Sequence, residues 1–152
     1  MCLTVITYQD FKERKVFWFL FPLAMLLLGL LYYLQVTNAS VFLYQILINT
    51  ILVTSILSIL FIYTRFITKK RFLNHSLGLG DILFFYALSL GFPTLTFIVL
   101  FVAATMFSLL VFLISKRNLK HKTVPLAGLM ALFMVFVMLY DLIFKYPSLY
   151  GY

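Results

Sequence analysis

Apolar runs of helical length alternate with short charged or polar segments along the whole chain. Residues 16–36, 41–63, 94–115 and 124–144 are apolar almost throughout. Each is roughly 20 residues long, the length a helix rising about 1.5 Å per residue needs to cross the hydrocarbon core of a bilayer. Residues 77–92 form a shorter apolar segment punctuated by glycines, and Gly91-Phe92-Pro93 at its end signals a turn. Residues 1–9 are apolar but too short to span. The pattern predicts an all-α polytopic membrane protein with about five full transmembrane helices. The N-terminal apolar stub reads as the end of a sixth helix whose earlier part lies upstream.

Composition supports lipid as the solvent. The chain is 64% hydrophobic and 11% charged, where soluble domains carry about a quarter charged residues. Its mean hydropathy is +1.10. The length of 152 residues predicts a single membrane-embedded domain, 1–152, and no linker, repeat or low-complexity tract divides it. The net charge of +8 raises the question of nucleic acid, but the basic residues fall in clusters between apolar runs. That distribution points to anionic lipid headgroups instead. Residues 10–15, 65–75 and 116–122 hold these clusters, and all three fall on one side if every run crosses; only Lys145 falls on the other. The positive-inside rule then predicts a multi-pass plasma-membrane protein with basic loops in the cytoplasm and its C-terminal end outside. Trp18 near one end, with Tyr146, Tyr150 and Tyr152 at the other, has the placement of interfacial anchors. Cys2 is the only cysteine, which excludes an internal disulfide and a cysteine-based zinc site. His75 and His121 lie in different loops without a second ligand at metal spacing, so neither a metal nor a cofactor is expected.

Four acidic residues remain: Asp10, Glu13, Asp81 and Asp141. An ionised carboxylate in hydrocarbon is costly and marks function by default. Asp81, in Gly78-Leu79-Gly80-Asp81, lies about one helical turn inside the third apolar segment. Two readings of it stand. As the residue after a glycine it suits the N-cap of a helix starting at Ile82. Alternatively it is a functional carboxylate, with the flanking glycines letting another backbone approach. Asp10, at the start of the first charged loop, reads alone as a solvated loop charge, as does Glu13. The topology puts Asp10 and Asp81 on the same side at similar depth and Asp141 near the opposite face. One pair of carboxylates is therefore in reach, and it is Asp10 with Asp81. Two carboxyl groups at close range do not both ionise near neutral pH. One then activates a water while the other, protonated, serves as general acid.

These residues resemble a known family. Gly78 to Asp81, followed by Ile82-Leu83-Phe84-Phe85-Tyr86-Ala87-Leu88 and Gly91, is similar to the GxGD segment of the type IV prepilin peptidases. Asp10, followed by Lys12, Arg14 and Val16, resembles that family's first catalytic aspartate and basic loop. Lys122-Thr123-Val124-Pro125-Leu126-Ala127 resembles the apolar-proline segment that opens its last helix. The three matches occur in the family's order and cover most of the chain. The resemblance implies a membrane aspartyl endopeptidase that removes the basic leader of type IV prepilins or pseudopilins at the cytoplasmic face. It implies a catalytic pair of Asp10 and Asp81, a site shaped by Gly78 and Gly80, and a structural role for Pro125. Its implied partner is a single-pass prepilin-like substrate. The long members' cysteine-bearing cytoplasmic domain has no counterpart in this chain, so their methyl transfer is not implied.

The chain also departs from the family. Nine residues precede Asp10 where members have a whole helix, Val16-Phe17 replaces the frequent Ile-Pro, and no Gly-Pro follows the downstream proline. A catalytically degenerate membrane subunit of a pilus or secretion assembly is therefore the alternative. A third class is a small proton-coupled transporter with Asp81 on a water path. Presenilin-like proteases also use GxGD, paired with Tyr-Asp on the preceding helix. Here Tyr140-Asp141 follows the GLGD segment and lies near the other face.

Overall fold

The computed structural model describes residues 2–12, 17–68, 78–115, 126–144 and 149–150. Among them are six α-helices and no strand: α1 (Cys2–Lys12), α2 (Leu20–Gln35), α3 (Ala39–Tyr63), α4 (Leu79–Gly91), α5 (Thr94–Ser115) and α6 (Leu126–Phe144). A π-helical turn, Thr64–Thr68, continues α3. Three helices are long and apolar enough to cross a membrane: Ala39–Phe66, Thr94–Ile114 and Leu126–Phe144. The apolar helices Leu20–Gln35 and Leu79–Gly91 are shorter, so a count of five full spans does not follow from length alone. The chain is nonetheless a helical membrane protein in character, its exposed surface crowded with Leu, Ile, Val and Phe side chains.

The boundaries have local causes. The first long apolar run begins later as a helix than its hydropathy suggests, at Leu20, with Phe17 hydrogen-bonded in the turn before it. Pro22 accounts for this, because its missing N–H and fixed φ are tolerated in the first turn of a helix and not further in. Pro93 ends α4 in the same manner. The residue before a proline is pushed to extended backbone, and Phe92 has φ −145° and ψ 153°. The Pro93 carbonyl then accepts the Phe97 N–H at 2.7 Å, opening α5.

The N-terminal segment differs most from expectation. It is a helix that runs on through Lys12, so Asp10 lies in the last turn of α1 and does not begin a loop. Leu3, Ile6 and Asp10 are spaced i, i+3, i+7 and share one face. Leu3 and Ile6 are buried, and α1 packs chiefly on α6.

The other helices pack with alternating direction around α4. Gly80 faces the Phe21 ring and Gly91 faces Leu28, so α2 and α4 run parallel in the most extensive helix pair. The α3 helix runs antiparallel to α4. Asn49 bonds to Ser89 and Phe92 near the end of α4, and Thr54 lies 3.1 Å from the Tyr86 hydroxyl one turn back. Phe84, Ala87, Leu88, Met130, Ala131 and Met134 are almost wholly buried at the centre. One end of the bundle thus gathers the close of α1 and the starts of α4 and α6. The other end holds the α4–α5 turn. There Tyr150 stacks on Tyr32 and on Phe92, with ring centroids 6.0 and 5.7 Å apart. Tyr150 is therefore packed between aromatic rings, whereas Trp18 is largely exposed. Tyr146 and Tyr152 lie outside the described residues.

Candidate functional site: two carboxylates at the start of α6

A helix start leaves its first N–H groups without intrahelical partners and carries partial positive charge. In α6 those groups are met by carboxylates from two other helices. The Ala127 N–H donates to Asp81 Oδ1 at 2.8 Å. The next amide, Gly128 N–H, donates to Asp10 Oδ2 at 2.6 Å. Asp10 and Asp81, 71 positions apart in the sequence, are thereby held on consecutive amides of one helical turn. Both side chains are half-buried.

Each carboxylate sits at the head of a buried stripe. Asp81 precedes Phe84, Phe85 and Leu88 at i+3, i+4 and i+7, all buried. Asp10 follows Ile6 and Leu3 in the same way. The apolar residues seat each helix, and the carboxylate at the end of the stripe faces α6. Asp81 is not the N-cap of its helix. Gly78 occupies that position, and Asp81, three residues on, accepts the Gly78 N–H through Oδ2 at 3.1 Å. This is the return bond of a capping box. One Asp81 oxygen therefore serves α4 and the other α6, which fixes the carboxylate plane relative to both.

The glycines have separate duties. A Cβ on Gly78 would lie 3.1 Å from Asp81 Oδ2, so this glycine keeps space for the carboxylate. A Cβ on Gly80 would lie 3.0 Å from Phe21 Cζ, which makes Gly80 a contact for α2 and not part of the carboxylate pair's lining. Gly128 was not singled out in the sequence, yet it is the most constrained of the three. A Cβ there would lie 2.7 Å from Asp10 Oδ2 and 2.8 Å from Asp10 Cβ. A glycine two residues into the last apolar helix, just past Pro125, is the signal that points to it.

Asp141 lies 13 residues beyond Gly128 on α6, roughly 20 Å along the axis. It does not join the pair, and Tyr140-Asp141 is equally remote from Gly78–Asp81. Pro125, Glu13, His75 and His121 lie outside the described residues. Among the described residues, no three His, Cys, Asp or Glu side chains gather as a metal site requires. Comparison of the chain with protein-family models, curated proteins and solved structures gives no match.

Proposed function

We propose that this protein is a membrane aspartyl endopeptidase of the prepilin-peptidase type, cleaving the basic leader from a single-pass, type IV prepilin-like substrate. The observation that carries the reading is the pair of carboxylates from α1 and α4 bound to consecutive amides of α6. Two carboxyl groups so placed share one proton. The ionised one takes a proton from water as its oxygen attacks the scissile carbonyl carbon. The protonated one donates to the carbonyl oxygen and, as the tetrahedral intermediate collapses, a proton passes to the leaving amine. The α6 amides orient both groups, so little reorganisation is needed during reaction.

The membrane placement follows from charge. Lys12 ends α1 and Arg65 follows α3, at the same end of the bundle as the carboxylates. The positive-inside rule puts that end in the cytoplasm, with the α4–α5 turn and the segment after α6 outside. In this arrangement α2 to α6 are five crossings of the plasma membrane. At 13 residues α4 is short for the hydrocarbon core, and local bilayer thinning accommodates it.

A second reading has its own support in the same hydrogen bonds. Carboxylates on the first amides of a helix are a stabilising cap, which is all that a non-catalytic subunit of a pilus or secretion assembly needs. Co-expression with a prepilin from the same genome separates the two. The protease reading expects a shortened pilin band with wild type and none with Asp81→Asn. A well-inserted wild type that leaves every candidate pilin at full length would establish the non-catalytic subunit instead.

A further inference from the structure

Among the described residues, Asn49 is the one fully buried side-chain amide: it lies in α3, and both its Nδ2 protons are donated to the end of α4. They go to the Ser89 carbonyl at 3.0 Å and the Phe92 carbonyl at 2.9 Å. Two carbonyl acceptors set the orientation of the amide. Its Oδ1 is buried without a partner among the described residues, so these two bonds alone hold the group in place.

The choice of acceptors is informative. In an uninterrupted α-helix the Ser89 carbonyl would be served by the N–H of residue 93. Residue 93 is proline and has none. In hydrocarbon no water is present to take its place, and an unsatisfied backbone carbonyl is costly. Asn49 thus supplies, from a neighbouring helix, the donor that Pro93 removes. The α4 helix is then tied at both ends by polar side chains: Asp81 to the α6 amide at its start, and Asn49 to its last carbonyls. Between the two ties, Ala87 and Leu88 make buried apolar contacts, and the one further polar contact to α3, Tyr86 with Thr54 at 3.1 Å, lies on the exposed side between two rotatable hydroxyls.

We infer that Asn49 is a positioning residue: by standing in for the missing Pro93 N–H it fixes the axial register of α4, and so sets the height of Asp81 against the start of α6. The inference rests on the endopeptidase reading only for its catalytic consequence, since the register itself is a property of the bundle. A misplacement of about 1 Å at a reacting group costs on the order of 100-fold in rate. Loss of the Asn49 bonds therefore lowers kcat, while KM, set by substrate docking, moves little.

The test reads register and activity separately. In a Cys2→Ser background, Asp81→Cys and Ala127→Cys are oxidised in membranes and the disulfide yield is measured. Adding Asn49→Leu, which keeps the bulk and removes the donors, is expected to lower the yield several-fold. Adding Pro93→Ala as well restores an N–H for the Ser89 carbonyl and is expected to return most of the yield. Asn49→Asp, protonated in hydrocarbon and able to donate one bond, is expected to fall between, and it stands in if Asn49→Leu fails to accumulate. In the otherwise native chain, kcat for pilin cleavage should fall about 10- to 100-fold with Asn49→Leu and recover with Pro93→Ala. An unchanged disulfide yield in Asn49→Leu, or in Asn49→Asp where that is the variant used, overturns the inference. So does a loss that Pro93→Ala leaves in place. Absence of cleavage by wild type would count against the protease reading alone, because the disulfide yield still decides the role of Asn49.

Discussion

The two ends of α4 meet the same physical problem in opposite ways. At its start, main-chain donors of another helix are bound by carboxylates. At its close, main-chain acceptors of α4 are bound by a carboxamide. The amide of Asn49 is fully buried and neutral, and both its protons are taken by carbonyls. The carboxylates of Asp10 and Asp81 are only half-buried, at the end of the bundle where α1 closes and α4 and α6 begin. A neutral, sealed group suits a permanent tie. Half-buried carboxylates at the end of the bundle stand where a water and a peptide can reach them. On the endopeptidase reading, the difference gives architecture to one end and chemistry to the other.

The largest expected effect lies at the charged end. Asp10→Asn and Asp81→Asn should each lower pilin cleavage by about 100-fold or more, since general acid–base contributions run to roughly 10²–10⁴. Band-shift assays with purified membranes measure it. Gly128→Ala comes next. Its Cβ would meet Asp10 Cβ and Oδ2 well inside contact distance, and a carboxylate displaced by about 1 Å should cost on the order of 100-fold in kcat. The Asp10 Cβ cannot swing aside, so a stability loss of about 1–3 kcal/mol should accompany the change, and kcat per folded protein separates the two effects.

Gly91→Ala probes the other end. The new Cβ would lie 2.9 Å from Leu28 Cβ, close to the backbone of α2 and unable to swing aside. Overpacking of this kind costs about 1–3 kcal/mol, read as a lower midpoint in thermal or detergent denaturation with the remaining folded enzyme still active. Gly80→Ala should be milder, under about 1 kcal/mol, because the atom it meets is the far edge of the Phe21 ring. The smallest effects are expected for Asp141→Asn and for chelators, both leaving cleavage within about twofold of wild type. Surface changes away from the reacting groups usually act on this small scale.

Much of the helical plan was legible because hydropathy and turn chemistry agree along the chain. The fourth apolar run and α5 share the same bounds, with Pro93 before and a basic cluster after. The α1 helix was harder to read. A charged run after nine apolar residues looks like a loop, yet the helix continues through Asp10 because its carboxylate has a partner 118 positions away. No local pattern carries that information. Gly128 was obscured for the same reason, as an ordinary glycine in an apolar run until Asp10 is placed beside it. The signal for Asn49 was present: an amide deep in a spanning segment is a polar side chain with a reason to be found. Its reason is Pro93, which the sequence marks as a turn without showing which carbonyl it leaves bare.

On the endopeptidase reading, Asp10 and Asp81 act as one catalytic unit at the start of α6. A double-mutant comparison of cleavage rates by Asp10→Asn, Asp81→Asn and the double variant tests it most directly. Residues acting as a unit are strongly non-additive, so the double variant should be no slower than the slower single one. Cleavage at the wild-type rate by Asp10→Asn, with Asp81→Asn inactive, would contradict the account.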